Sequence, residues 1–464
     1  MKKRKGLTWY LFLFAVLLLP LSGCSLTNST ENSNEARALA EEAYIFAYPM
    51  LENYRTMQVQ AISPDRFNRF KHATEIMGPE YKDIVRPNND TLYSTLWLDL
   101  RAEPMVLHIP PITDRYYSFQ FVDMYTHNFA YTGVRTTGTR GGVFMVAGPE
   151  WNGEKPAGVN EVFRSEGNFV LCLVRTALEG PEDLENVHAI QSRYDVEPLS
   201  GFLGVAPPAH SPMDVFPLYL QPAAESVHFI NYFNFLLGRL KVHPSEEELI
   251  ERFGAIGIGP GFYFNADNFS PEIRAAIEAG IASAIKQIEA SREILGERKN
   301  GWVLTRRIFG NREQMQGLYL VRAGAARMGL YGNDLEEAYY PTGNLDADGE
   351  LFDASKHSYV LRFEKDEIPP VDAFWSITMY NLPEQLMVEN PIGRYSIGDR
   401  TEGLMFGEDG SLELYFSKTS PGGEKERNWL PAPDGPFSLT LRMYLPHEHA
   451  LDPLYAPPVI RKAE

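Results

Sequence analysis

The chain has 464 residues, 44% hydrophobic and 12% aromatic, and 43 basic against 61 acidic side chains give it a formal charge of −18. That apolar content excludes a disordered chain, and 2 cysteines cannot build a disulfide scaffold. The acidity excludes nucleic acid as a partner, because phosphate binding needs a basic face.

In chain order, Lys2, Lys3, Arg4 and Lys5 precede an apolar run from Trp9 to Leu19, and Leu21-Ser22-Gly23-Cys24 follows. The run is too short for a mature membrane-spanning helix. The whole segment resembles a bacterial lipoprotein signal, residues 1–23, with Cys24 as the lipidated residue after cleavage. Removing the leader takes four basic residues from the 43 and leaves 39 against 61 acidic ones, a net charge of −22. Ser25 after the cysteine resembles lipoproteins sent to the outer membrane of a Gram-negative cell, facing periplasm or surface. The expected location is therefore the cell envelope, with the membrane reached through the palmitate-bearing Cys24. Residues 24–35, rich in Ser, Thr and Asn, read as a tether.

Apolar spacing predicts a helix over 36–60, kinked by Pro49. Short runs rich in β-branched and aromatic residues, from about Thr91 to Arg175, predict an antiparallel sandwich. Cys172 lies within one such run and reads as a buried, inert thiol. The middle looks helical. Ser226 to Leu240 predicts a helix, Ser245 to Glu248 a capping box, and Ser270-Pro271 the start of a helix with an isoleucine face. Glu313 to Leu330 predicts another, with Gly317 and Gly324 on one face. Alternating strands return from Ser358 to the C-terminus. The expected division is a helix and β-sandwich domain over 36–180, a helical middle over 181–335 and a C-terminal β-domain over 336–464. The fold class is mainly β with a helical middle.

Several blocks stand in a familiar order: Asn88-Asn-Asp-Thr-Leu-Tyr-Ser94, Tyr125-Thr-His-Asn-Phe-Ala-Tyr131, Pro369 to Ser376, Asn390 to Tyr395 and Asn428 to Pro433. They resemble a bacterial family built from two paired domains of unknown function, numbers twelve fifty-four and twelve fourteen of that series. The resemblance implies an N-terminal β-sandwich, a small helical segment and a jelly-roll-like C-terminal β-domain. It brings no activity and no catalytic residue set.

No nucleophile elbow, zinc-protease helix, phosphate loop or Cys-x-x-Cys pair occurs. Gly257, Gly259 and Gly261 read as a turn. His447 and His449 lack a third ligand, and Asn344, Asp346 and Asp348 imitate a calcium loop without its closing glutamate. No metal and no cofactor is expected. Two polar-aromatic blocks remain. In one, Asn89, Asp90, Tyr93 and Trp97 are followed by Asp123, His127 and Asn128. In the other, Arg394, Tyr395 and Arg400 precede Asn428 and Trp429. Amides beside flat rings suit a glycan, and arginines suit a carboxylate. These residues give the expected function: an envelope protein binding a polar ligand in a cleft between two β-domains. The alternative is a hydrolase or other enzyme on a carbohydrate or small polar substrate, with Asp90 and Asp123 as acid and base and His127 as proton shuttle. Oligomeric state is not legible.

Overall fold

The computed structural model describes residues 33–82, 85–209 and 216–463. The lipoprotein signal, Cys24 and most of the tether lie outside the described residues. Only the end of the tether is corrected, because helix Ser33–Met57 already includes residues 33–35.

The mainly β class with a helical middle is what the structure has. In the N-terminal domain a five-stranded sheet orders its strands as 71–72, 91–99, 169–177, 117–122 and 128–133. A four-stranded sheet of 161–164, 142–147, 105–109 and 195–198 packs against it. Period-two alternation explains the pairing. Leu96 and Leu98, Val170, Cys172 and Val174, and Phe119 and Phe121 point into the sandwich, against Leu107, Phe144 and Val146 of the second sheet. Burial pushes the Cys172 thiol well above its ordinary range, which keeps it an unreactive core group. Because Asp195–Pro198 pairs with Met105–Ile109, this domain extends past the expected boundary at 180.

Helix Ser33–Met57 runs through Pro49 without a break in its assignment and ends in a π turn, Gln58–Ile62. It lies on helix Pro271–Ser291, whose Ser270 cap accepts from the Ile273 amide at 3.3 Å. Ile273, Ile277, Ile281 and Ile288 are buried in that contact, as their spacing requires. Gly280 permits the close approach: a Cβ there would stand 2.3 Å from the Arg37 carbonyl oxygen. Three helical expectations are corrected. The 226–240 helix is shorter, Phe229–Leu237. Ser245 sits inside a 3-10 turn, with its hydroxyl on His243 Nδ1 at 2.7 Å, so no capping box forms there. The 313–330 helix is two, Arg312–Met315 and Tyr319–Gly329, broken where Gly317 takes a φ of +74°. Gly324 still serves close packing, against Ser291.

In the C-terminal domain, strands 371–381 and 437–446 form the centre of a seven-stranded sheet packed on a four-stranded one. Leu439, Leu441 and Met443 face the core between them. The hairpin Glu297–Lys299 and Trp302–Leu304 joins this sheet through Thr342–Gly343, so the β-domain begins before residue 336 and the helical middle ends earlier. At the two suspected ion sites the side chains have partners within the protein. Lys462 places its ammonium at 3.3, 3.0 and 2.8 Å from Asp346, Asp348 and Glu350, where the calcium-like loop would hold a cation. His447 pairs with Asp372 at 2.8 Å.

Gly280→Ala tests the helix contact. Alanine favours a helix interior by about 1 kcal/mol, yet the rigid backbone opposite should reverse the sign and destabilise by about 1–3 kcal/mol. Gly254→Ala, with nothing within 4 Å of its new methyl, should stay near neutral. Urea midpoints of the two variants decide it.

Candidate functional site

Alternation that buries one face of each central strand sends the other face outward, and the two outward faces meet between the domains. On strand Thr91–Asp99, Tyr93 and Thr95 point away from the sandwich core; on Phe169–Ala177, Leu173 and Arg175 do. Tyr93 and Arg175 are cross-strand partners, so their side chains stand together. From the C-terminal sheet, Thr440, Arg442 and Tyr444 face the same space. The loop 305–309 and the segment 328–342 close its sides. The result is a cavity of about 660 Å³, within the usual range for small-molecule sites.

Its floor is built from arginine, tyrosine and asparagine. Arg175, 5% exposed, donates to Gln120 Oε1 at 2.6 Å, Asn333 Oδ1 at 3.0 Å and the Tyr331 carbonyl at 2.9 Å. Its guanidinium carbon stands 5.5 Å from the Tyr93 ring centroid. Arg442, also 5% exposed, donates to Thr378 at 2.6 Å, Tyr380 at 2.7 Å and the Arg86 carbonyl at 3.2 Å. Arg86 reaches Gln385 at 2.7 Å and Thr342 at 2.9 Å. No Asp or Glu is among the described lining residues. Around the floor stand Met77, Leu173, Phe309, Met328 and Leu330, an apolar wall.

The amides hold the phenols. Asn88 Nδ2 donates to the Tyr93 oxygen at 3.1 Å and the Tyr444 oxygen at 3.0 Å. Asn333 Nδ2 donates to the Tyr340 oxygen at 2.8 Å. An amide nitrogen only donates, so the Tyr340 oxygen accepts, and the two Asn88 hydrogens are shared among the Tyr93, Tyr444 and Thr91 oxygens, the last also at 3.1 Å. Burial pushes Tyr340 up to about 12 and, with Tyr340 and Asp90 nearby, Tyr444 higher still. Tyr93 is different. Burial raises it, but the Arg175 guanidinium, the Asn88 amide and Arg442 outweigh that and hold it below the usual phenol range.

The expected site residues scatter, and most of them have their polar atoms already engaged by the protein; Tyr93 and Asn89, whose Oδ1 is buried without a partner, are exceptions. Tyr93 lines the cavity, and Asn89 stands two residues before strand Thr91–Asp99 begins. Trp97 is buried against the helices with its indole N–H on Gln60 at 3.0 Å. Asn128 braces Gln120, Gly332 and Asp334. Arg394 donates to the carbonyls of Glu426, Arg427 and Trp429, and Tyr395 bonds Glu389. Asn428 is held by Met405 and Glu413, and Trp429 by Ser417. Arg400 lies 3.5 Å from the Phe374 ring centroid and donates to the Leu178 carbonyl at 2.8 Å. The two blocks meet at the Arg400–Asp90 ion pair, at 3.5 Å, and do not otherwise line one cleft.

The Asp90–Asp123 acid–base pair is also corrected. Thr91 pairs with Ala177 and Val122 with Leu171, on the same strand. Six residues at about 3.3 Å separate those levels by about 20 Å, against the 5–10 Å that a glycosidase needs. Asp90 receives the Ser376 hydroxyl at 2.6 Å and latches the domains together. Asp123 accepts from the His127 amide at 2.8 Å and meets its Nδ1 at 3.2 Å. Burial, with Arg322 and Arg312 close by, holds the His127 ring below its usual range, so it is neutral and donates Nδ1–H to the carboxylate. Asp123, His127 and Glu166 could approach one cation. Arg312 already holds Glu166 Oε1 at 2.8 Å and Glu246 at 2.8 Å, so the cluster carries its own cation.

Sequence reading missed Arg86, Arg175, Asn333, Tyr340, Arg442 and Tyr444. The available signal was an arginine inside an apolar strand: Arg175 closes Phe169-Val-Leu-Cys-Leu-Val-Arg, and Arg442 interrupts Leu439-Thr-Leu-Arg-Met-Tyr-Leu. Such a charge is costly to bury and marks a site.

Fold and site together define a two-domain β-sandwich protein with a ligand-sized cavity between its domains. Family models agree on the two domains. Residues 67–198 match a protein of unknown function, DUF1254, and residues 337–448 match a second, DUF1214. The chain belongs to the proteins that carry this pair of domains. The first match ends at the strand Asp195–Pro198 that closes the N-terminal sandwich. Among solved structures, the crystal structure of the VPA0106 protein from Vibrio parahaemolyticus is 28% identical, covers 92% of this chain and 100% of its own, and superposes with a TM-score of 0.76. A putative uncharacterized protein from Burkholderia cenocepacia is 14% identical over 95% of this chain and 94% of its own, with a TM-score of 0.43. A search of curated proteins finds no match.

Asp334 borders the cavity wall, and burial raises its carboxyl to about 6 despite the Asn128 donor. A raised carboxyl stabilises the fold fully below about pH 4 and loses that contribution as pH rises through about 6. Asp334→Asn should match wild type below about pH 4 and exceed it by on the order of 1–3 kcal/mol above about pH 6. Denaturant midpoints across that range give the answer.

Proposed function

We propose that this protein binds a small ligand with an anionic, carboxylate-type head and an apolar body, in the cavity between its two β-domains. One observation carries the reading. Within a chain of net charge −18, the described lining of the cavity holds three buried or half-buried arginines and no carboxylate. Arg175 and Arg442 satisfy their donors with neutral acceptors, so neither charge is cancelled by a contact on the floor. Phenol hydrogens from Tyr340 and Tyr444 add donors at the same place. A carboxylate or similar anion fits that set, and a neutral sugar has no use for the net positive field. The apolar wall takes the remainder of the ligand.

Thermal shift with hydrocinnamate and octanoate, each against its neutral amide, tests the charge requirement. A ligand near 100 times its dissociation constant stabilises the folded state by about 2.7 kcal/mol. The acids should raise the midpoint and the amides should not. Tyr444→Phe and Tyr340→Phe should each weaken acid binding about five- to tenfold, the worth of one hydrogen bond to a charged group. Amides that bind as well as the acids would defeat the reading.

The second part of the proposal is location: the body is held at the envelope by lipid on Cys24. Its support is the ordered signal of basic residues, apolar run, small residues and cysteine. The mature surface, at −22, would be repelled by anionic lipid, so an anchor is required. In detergent phase partition of expressing cells, the wild-type chain should enter the detergent phase and Cys24→Ser the aqueous phase.

A further inference from the structure

We propose that the cavity is an enzyme site in which Tyr93 moves a proton to and from a carbon of the bound ligand, the ligand being a carboxylate with a carbonyl next to that C–H. This rests on the anion-binding reading above and adds chemistry to it. The geometry begins with three phenols on one floor, each within hydrogen-bond distance of an asparagine amide nitrogen. They share a floor but not an environment. Tyr93 stands opposite Arg175 on the neighbouring strand, with the guanidinium 5.5 Å from its ring centroid. Tyr340 comes from the segment linking the domains and Tyr444 from the C-terminal sheet.

Groups of one kind whose surroundings push their ionisation apart divide the roles of acid and base. Facing Tyr93 are Arg175, Arg442, Asn88, Tyr340 and Tyr444, and of these Arg175, Asn88 and Arg442 favour its ionised form. Tyr340 and Tyr444 are pushed the other way and stay protonated. One phenol is therefore the base, and two are donors for an oxyanion. No lining carboxylate competes as base among the described residues. His72 points elsewhere, because its Nδ1 engages Ser94 at 2.8 Å, and Ser94 projects to the face opposite Tyr93.

The step balances without a cofactor. The Tyr93 phenolate takes the proton from the carbon beside the carbonyl. The C–H electron pair becomes the new C=C bond, and the carbonyl pair moves onto oxygen as an enolate. The Tyr340 and Tyr444 hydroxyls donate to that oxygen, which is charge stabilisation by donors already in place. The Tyr93 phenol then returns the proton to carbon, and the carbonyl re-forms. Nothing is oxidised or reduced, so the reaction class is isomerisation or epimerisation by proton transfer.

Phenylpyruvate in deuterated buffer near pH 7 is the probe, with its C3 protons followed by proton NMR, since catalysis by a placed base adds at least about tenfold. Wild type should exchange C3 at least about tenfold faster than buffer alone. Tyr93→Phe should fall to the buffer rate at phenylpyruvate concentrations that saturate the variant. A near-ultraviolet titration should also show one tyrosine ionising below the others, and Tyr93→Phe should remove it. Exchange undiminished in Tyr93→Phe overturns the inference. So does wild type that binds hydrocinnamate and phenylpyruvate without accelerating exchange, which leaves the binding reading standing. If neither acid shifts the midpoint, the binding reading falls and the inference with it.

Discussion

Two guanidinium groups, on Arg175 and Arg442, are buried with only neutral hydrogen-bond partners, and the cavity is organised around that constraint. Other poorly exposed arginines vary: Arg115 meets Asp183 at 2.5 Å and Arg312 meets Glu166 and Glu246, while Arg322 donates to the Tyr125 carbonyl. Burying a charge costs several kcal/mol unless it is paired and fully hydrogen-bonded. Arg175 and Arg442 have the hydrogen bonds but no carboxylate in direct contact, Asp90 acting on Arg442 from farther off. The cost is met by packing elsewhere, and what it leaves is a positive field aimed into a cavity. Preorganised fields of this kind favour an arriving anion without reorganising the protein.

The same constraint explains why the domains are so firmly linked. A field set by two residues on different domains depends on the spacing between those domains. Ser376 donates to Asp90 at 2.6 Å, Tyr380 to the Pro87 carbonyl at 2.6 Å, and Asn88 to Tyr444 at 3.0 Å. On the other flank, Glu337 takes the Tyr116 hydroxyl at 2.7 Å and Arg135 at 2.5 Å. Most of these groups are buried, so each bond is stronger than its counterpart in water and costly to leave unmade. Asp90 thus has a clear use, though not the one its sequence context suggested.

Most of the fold was legible because period carries burial. The isoleucines from 273 to 288 and the alternating runs at 169–174 and 437–445 needed only one apolar face each. What stayed hidden depends on partners remote in sequence. Asp195–Pro198 has a proline and two acids and forms a strand only because Met105–Ile109 offers an edge. Glu297–Lys299 is wholly charged and joins the C-terminal sheet through its hairpin. Gly317 looked like a packing residue on one helix, but its left-handed backbone ends a turn instead. Local pattern cannot report either an edge or a φ angle.

The site was harder to read for a different physical reason. Blocks of polar and aromatic residues such as Arg394-Tyr395 and Asn428-Trp429 bind neighbouring loops and strands of their own domain, at Glu426, Arg427 and Trp429, and at Met405, Glu413 and Ser417. A cavity between domains instead takes one or two residues from each of several strands, so its members never form a block. Their trace is a polar side chain on the outward face of a strand whose inward face is apolar. Tyr93, Arg175 and Arg442 each occupy such a position, and the register places the first two side by side. Of the polar-aromatic residues weighed from sequence, Tyr93 alone meets both conditions, an outward face and an arginine opposite. The same pair of conditions separates it chemically from Tyr340 and Tyr444. Position on the strand decides which residues reach the cavity, and the cross-strand partner decides what each can do there.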